Sequence, residues 1–105
     1  MNKFDEREKG FEKKFLMDEE LQFKIAARSN KYLGEWASSK LGKNKEDEKK
    51  YIQEIIRSDL EEAGQEDVFR KIKKDFQKAS VSIEDIEIRD QMEKATLRAI
   101  EDFKK

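Results

Sequence analysis

Apolar residues recur along most of this chain at intervals of three and four, the period of a helix with one buried face. The spacing predicts four helices and a distinct N-terminal segment. The first helix is expected to start after Asp18, an N-cap residue followed by Glu19 and Glu20 in the electropositive first turn. It carries Leu21, Ile25, Tyr32 and Trp36 along one stripe and stops at Gly42. A second helix follows the charged stretch from Lys43 to Lys50, with Asn44 as a candidate cap. Its face is Ile52, Ile55, Ile56, Leu60 and Ala63, and Gly64 ends it in the left-handed position that closes helices. The third is short, with Val68, Phe69, Ile72, Phe76 and Ala79, and breaks at Ser80-Val81-Ser82. Ser82 is expected to cap the fourth helix with Asp85 three residues on, while Val81 and Ile86 occupy the two positions of a hydrophobic staple. Ile88, Met92, Ala95, Ala99 and Phe103 continue that stripe to the C-terminus.

Amphipathic helices joined by short connections can hide their apolar faces only against one another. Residues 18–105 are therefore predicted to form one all-α four-helix bundle. No strand pattern or internal repeat competes, and heptad spacing is not sustained long enough for an extended coiled coil.

Residues 1–17 do not fit that pattern and are predicted to form a helical or partly disordered extension. On a helix, Phe4, Phe11 and Phe15 would fall within an arc of about 40°, rotated by about 70° from the stripe of the first bundle helix. Two readings stand. The phenylalanines extend the bundle core, or they anchor a helix in the groove of a partner, with Asp5, Glu6, Arg7, Glu8, Lys9, Glu12 and Lys13 as the polar surround. Burying three phenylalanines yields roughly 6 to 9 kcal/mol gross, whereas ordering some fifteen residues costs on the order of 15 kcal/mol. A groove-binding segment must therefore be partly preformed or make many further contacts, and Gly10 opposes preformation by about 1 kcal/mol relative to alanine.

Composition narrows the chemistry. With 24 basic and 25 acidic residues the formal charge is −1, so no overall field draws the chain to nucleic acid or an anionic membrane. Cysteine is absent, which removes disulfides, thiolate metal sites and cysteine nucleophiles. Histidine is also absent, and with it the usual general base near neutrality and the commonest transition-metal ligand. Without proline and with four glycines, little interrupts the helices. No apolar run approaches the roughly 18 residues of a membrane span, and the N-terminus lacks the apolar stretch of a secretory signal. The expectation is a cytoplasmic protein that is not an enzyme, needs no cofactor or metal, does not insert into membrane and is monomeric when free.

Two surface features invite other readings. Arg70, Lys71, Lys74 and Lys78 form a basic stripe on the third helix that a nucleotide or nucleic acid could use, though Asp75 interrupts it. A solvated face is the favoured reading. The carboxylate clusters Glu61-Glu62, Glu66-Asp67 and Glu84-Asp85-Glu87 lack the Glu-x-x-His pairs of di-iron bundles and the central glycine of a calcium loop.

Read in order, the blocks Phe4-Asp5-Glu6-Arg7-Glu8-Lys9-Gly10-Phe11-Glu12-Lys13-Lys14-Phe15, Asp18-Glu19-Glu20-Leu21 and Asn30-Lys31-Tyr32-Leu33-Gly34-Glu35-Trp36-Ala37 resemble the zeta inhibitor subunit of bacterial F-type ATP synthases. The resemblance continues through Leu41-Gly42, Asp59-Leu60-Glu61-Glu62-Ala63-Gly64 and Glu66-Asp67-Val68-Phe69-Arg70-Lys71. It implies a four-helix bundle whose N-terminal segment enters the catalytic head of the synthase. The segment would sit between catalytic and non-catalytic subunits near the rotor and block ATP hydrolysis. The positions matching the inhibitory segment are Phe4, Asp5, Arg7, Glu8, Lys9, Phe11, Glu12 and Phe15; Gly10 and Met17 depart from the family's usual alanine and histidine. The implied partners are the alpha, beta and gamma subunits of the head, with the protein peripheral to the inner membrane when bound. A non-inhibitory accessory subunit and a helical nucleotide-binding module are the alternatives.

Overall fold

The computed structural model describes residues 19–61 and 65–104. Four helices follow in order, α1 (Glu19–Leu41), α2 (Lys45–Glu61), α3 (Glu66–Lys78) and α4 (Asp85–Lys104), and no strand occurs among the described residues. Helix α1 packs on α2 and α4, and α3 packs on the same two from the opposite side. Successive contacts show each neighbour as antiparallel: Asn30 donates to Asp59 while Gly34 lies against Ile52 across α1–α2, Lys71 donates to Glu54 while Asp75 stands near Tyr51 across α2–α3, and Arg89 donates to Glu66 and Lys73 to Asp85 across α3–α4. Ser29 and Thr96 share a hydrogen bond, and Arg28 donates to Asp102, across α4–α1. The chain is an all-α four-helix bundle, as the apolar spacing predicts.

The junctions show why the helices stop where they do. At the end of α1, Gly42 takes φ 72°, its N–H donates to Ser39 O at 3.3 Å, and the Lys43 N–H donates to Ser38 O at 3.0 Å. This pair of bonds satisfies two of the last carbonyls and requires a left-handed residue. The end of α3 repeats the device with Ser80 at φ 58°, its N–H bonding to Gln77 O and that of Val81 to Phe76 O. Asn44 caps α2 as expected, Oδ1 accepting the Asp47 N–H at 2.8 Å. The residues Lys45 to Lys50 belong to the first turns of that helix rather than preceding it. The expected caps and stops at Asp18, Ala63 and Gly64 lie outside the described residues.

The start of α4 differs from the sequence expectation. The helix begins at Asp85, three residues beyond Ser82, and the N–H groups of Glu87 and Ile88 bond to Glu84 O. Val81 and Ile83 both pack against the core, so the extended stretch between α3 and α4 alternates inward and outward. Ile86 is left 73% exposed, and no staple with Val81 forms.

The core is built from Leu33 and Ala37 of α1, Tyr51 and Ile55 of α2, Val68, Phe69, Ile72 and Phe76 of α3, and Ile88, Met92, Ala95 and Ala99 of α4. Helix α3 presents the predicted face except Ala79, which is exposed; in α2, Leu60 is 65% exposed and Tyr51 is buried in its place. Helix α1 departs most. Leu21, Ile25, Tyr32 and Trp36 are only half-buried, while Ser29, Asn30, Leu33, Gly34, Ala37 and Ser38 are buried. The centre of the buried face lies about 140° around the helix from the predicted stripe. Small side chains there let α2 and α4 approach α1 closely, and Trp36 instead covers the edge of the core, its ring 5.6 Å from that of Phe76.

Two ion pairs at the helix ends set the response to acid. The Arg89 guanidinium, bonded to Glu66, holds that carboxyl below its ordinary range, and the Tyr32 hydroxyl followed by Arg28 does the same for Asp102. Carboxyls whose folded pKa is depressed add stability above the unfolded pKa and lose it as pH falls through the folded value. With no histidine in the chain, no side chain has an ordinary pKa near neutrality. The urea midpoint is expected to stay flat from about pH 8 to 5.5 and to fall progressively below about pH 4.5. A midpoint already declining between pH 7 and 5.5 would contradict this account.

Candidate functional site

The residues that the sequence assigns to partner binding, Phe4, Asp5, Arg7, Glu8, Lys9, Phe11, Glu12 and Phe15, lie outside the described residues, immediately before α1. What the described residues supply is the surface next to them. Beside the first half of α1 lies an open groove of about 790 Å³. Its floor is apolar, made by Phe23 and Ala27 of α1, Ile52 and Ile56 of α2, and Phe103 of α4. Its rim is basic, made by Lys24, Arg28, Lys31, Lys49 and Lys50, and among the described residues no carboxylate lines it. Phe23 is 59% exposed. Sequence reasoning missed this groove because three separated helices contribute to it; the one available cue was Phe23, an aromatic off the predicted stripe of α1.

Position within the groove follows from the α1–α4 contact. Arg28 bonds to Asp102 at 3.2 Å while its guanidinium lies 5.4 Å from the Phe103 ring centre, so one arginine clamps the last turn of α4 onto α1. Tyr32 donates to the same carboxylate, and Arg98 stacks over the Tyr32 ring at 3.8 Å. Phe103 is thereby held against the groove instead of fraying at the chain end.

Two of the four cations of the α3 stripe are paired, while Lys74 and Lys78 are exposed. Arg70 pairs with Asp67, and Lys71 bonds to Glu54 at 2.9 Å and Asp75 at 3.1 Å. Burial works to lower the Lys71 pKa, but those two carboxylates outweigh it and hold the ammonium raised above its ordinary range. The Lys71 ammonium also sits 5.1 Å from the Tyr51 ring, with Lys43 at 5.4 Å. Burial first, then the neighbouring Asp75 and Glu54 charges, push the Tyr51 phenol well above its ordinary pKa, so it stays neutral. Asp75, which interrupts the stripe, is thus part of the α2–α3 contact. Of the acidic clusters, Glu66 pairs with Arg89 and Asp85 with Lys73. Among the described residues no three carboxylates converge on a point where a metal ion could sit.

A model of the family described as ATPase inhibitor subunit zeta matches residues 1–102. The chain belongs to that family. The match takes in α1 to α3, α4 as far as Asp102, and the eight N-terminal positions singled out above. Membership in the zeta family makes the chain an inhibitor-type, regulatory subunit associated with the ATP synthase. No curated protein matches the chain. No helix among the described residues is long and apolar enough to cross a membrane.

Proposed function

We propose that this zeta-family protein inhibits ATP hydrolysis by the F-type synthase through residues 1–17, with the bundle of residues 18–105 as their carrier. The segment inserts into the catalytic head between alpha and beta subunits beside gamma. Phe4, Phe11 and Phe15 are the anchors, and Asp5, Arg7, Glu8, Lys9 and Glu12 bond around them. The observation that supports this reading is that the family match begins at residue 1 and takes in all eight of these positions. A helix wedged at a closing interface opposes the conformational cycle that hydrolysis drives, whereas rotation in the synthetic direction releases it. No bond making by the inhibitor is needed.

The test adds the full chain, or a chain beginning at Asp18, to the purified cognate head and follows ATP hydrolysis. The full chain is expected to lower the rate and the shortened chain to leave it at the uninhibited value, while both give the same helical circular dichroism per bundle residue. Equal rates in all samples would reject inhibition, and binding without a rate change would identify a non-inhibitory accessory subunit.

A further inference from the structure

The groove beside α1 combines an exposed aromatic floor with a rim that, among the described residues, is of one sign, on a protein whose formal charge is −1. Two of its cations are already paired, Lys24 with Glu20 at 3.3 Å and Arg28 with Asp102. We propose that the groove is the resting seat of the chain's own residues 4–15, which fold back antiparallel to α1 and place Phe15, Phe11 and Phe4 successively along it.

Tether and length agree. The segment ends at Glu19, the first residue of α1, and the groove opens one turn later at Phe23. Leu16, Met17 and Asp18 are three residues, within the two to five that join antiparallel helices. As a helix, Phe4 to Phe15 spans ~16 Å, against ~12 Å from Phe23 to Lys31 along the groove wall, to which the Lys49 end adds reach. Charge agrees on one side. At 100° per residue Glu8, Glu12 and Asp5 lie about 40° to 100° from the phenylalanine stripe, forming an acidic flank that would meet the lysines of one rim. Arg7 and Lys14 lie on the other flank, where they would meet the remaining rim unfavourably.

The balance is necessarily weak. The gross burial of the three phenylalanines is smaller than the cost of ordering the segment, and the exposed Phe23 and the charge pairs narrow the difference without closing it. The seat is therefore partly occupied and readily vacated. Its regulatory consequence rests on the inhibitory reading above: the same phenylalanines cannot occupy the groove and the synthase head, so the docked fraction lowers apparent affinity for the head in proportion.

Because the chain has no cysteine, Gly10→Cys in the full protein gives one attachment point for a nitroxide. Amide signals of the free protein then report where the segment dwells. Selective loss of intensity is expected at Lys31, Lys49 and Gln53, the end of the groove far from the tether, and not at Leu97, whose neighbour Thr96 bonds to Ser29 partway along α1. Adding Lys49→Glu and Lys50→Glu, both exposed and so compatible with folding, is expected to abolish the selectivity. Equal loss on both faces in the parent chain would overturn the proposal, because a freely sweeping segment visits both. Selective loss appearing only between labelled and unlabelled chains in a mixed sample would also overturn it, assigning the groove to a second copy. Since the synthase is absent from these measurements, their failure is distinct from a failure to inhibit.

Discussion

Phe76→Ala is expected to remove about 3–5 kcal/mol of unfolding free energy, a large share of the roughly 5–15 kcal/mol that a domain of this size possesses. Phe76 is fully buried on α3, and its ring meets that of Trp36 edge-on at an interplanar angle of 67°, so it joins the α3 side of the core to α1 across the bundle axis. Truncation loses the transfer free energy of the ring and opens a cavity that Ile55, Ile72 and Ile88, themselves fully buried, can fill only by moving whole helices. It also strips Trp36 of its packing partner. A domain of this length has little reserve, because small bundles bury a modest fraction of their surface. The midpoint of thermal unfolding is expected to drop by roughly 12–40 °C. Leu97→Ala is the matched control: Leu97 is 58% exposed, and its loss is expected to change stability by less than about 0.5 kcal/mol. Comparable losses for the two variants in urea titrations would show that the core described here does not carry the stability.

The contrast between Phe76 and Leu97 also marks what the sequence makes legible. In α3 the face Val68, Phe69, Ile72 and Phe76 reads directly from spacing, because its buried residues are large, so the periodicity of hydrophobic side chains and the periodicity of burial coincide. In α1 they separate. That helix touches both α2 and α4 and is buried through Ser29, Gly34, Ala37 and Ser38, residues whose small size permits contact but which weigh little in any hydrophobic pattern. The large residues Tyr32 and Trp36 roof the core from the flank and draw the reading toward the wrong side. The Ser82 cap failed for a related reason: a local motif of high intrinsic preference gave way to the requirement that Val81 and Ile83 both reach the core. The N-terminal segment was legible only through resemblance, since its phenylalanine stripe alone fits either a core or a partner. Of the groove only Phe23 was legible, as an aromatic off the predicted stripe of α1, because Ile52, Ile56 and Phe103 reach it from two other helices.

Gly34→Ala is expected to destabilise the protein, although alanine is the better helix former by about 1 kcal/mol. A Cβ built at Gly34 would stand 2.6 Å from Ile52 Cγ1 and 3.3 Å from Ile52 Cα. The first contact is to a carbon next to the branch point of a β-branched side chain, which cannot swing aside as a long flexible tip would, and the second is to backbone. Relief requires α2 to move outward, and overpacking of that kind costs about 1–3 kcal/mol, so the net effect is a loss of up to about 2 kcal/mol. Gly34→Val adds a methyl pair and a restricted rotamer and is expected to cost more. The decisive measurement is the double-mutant cycle with Ile52→Ala, which removes the offending carbon. The two changes should couple favourably by about 1–2 kcal/mol, with the pair more stable than the sum of the single losses predicts. Strict additivity would mean that α1 and α2 do not meet at this point. Because Ile52 is also on the floor of the groove, outward movement of α2 in Gly34→Ala would widen the seat proposed for residues 4–15, and the selective nitroxide effect at Lys49 and Gln53 should weaken while the helical signal persists.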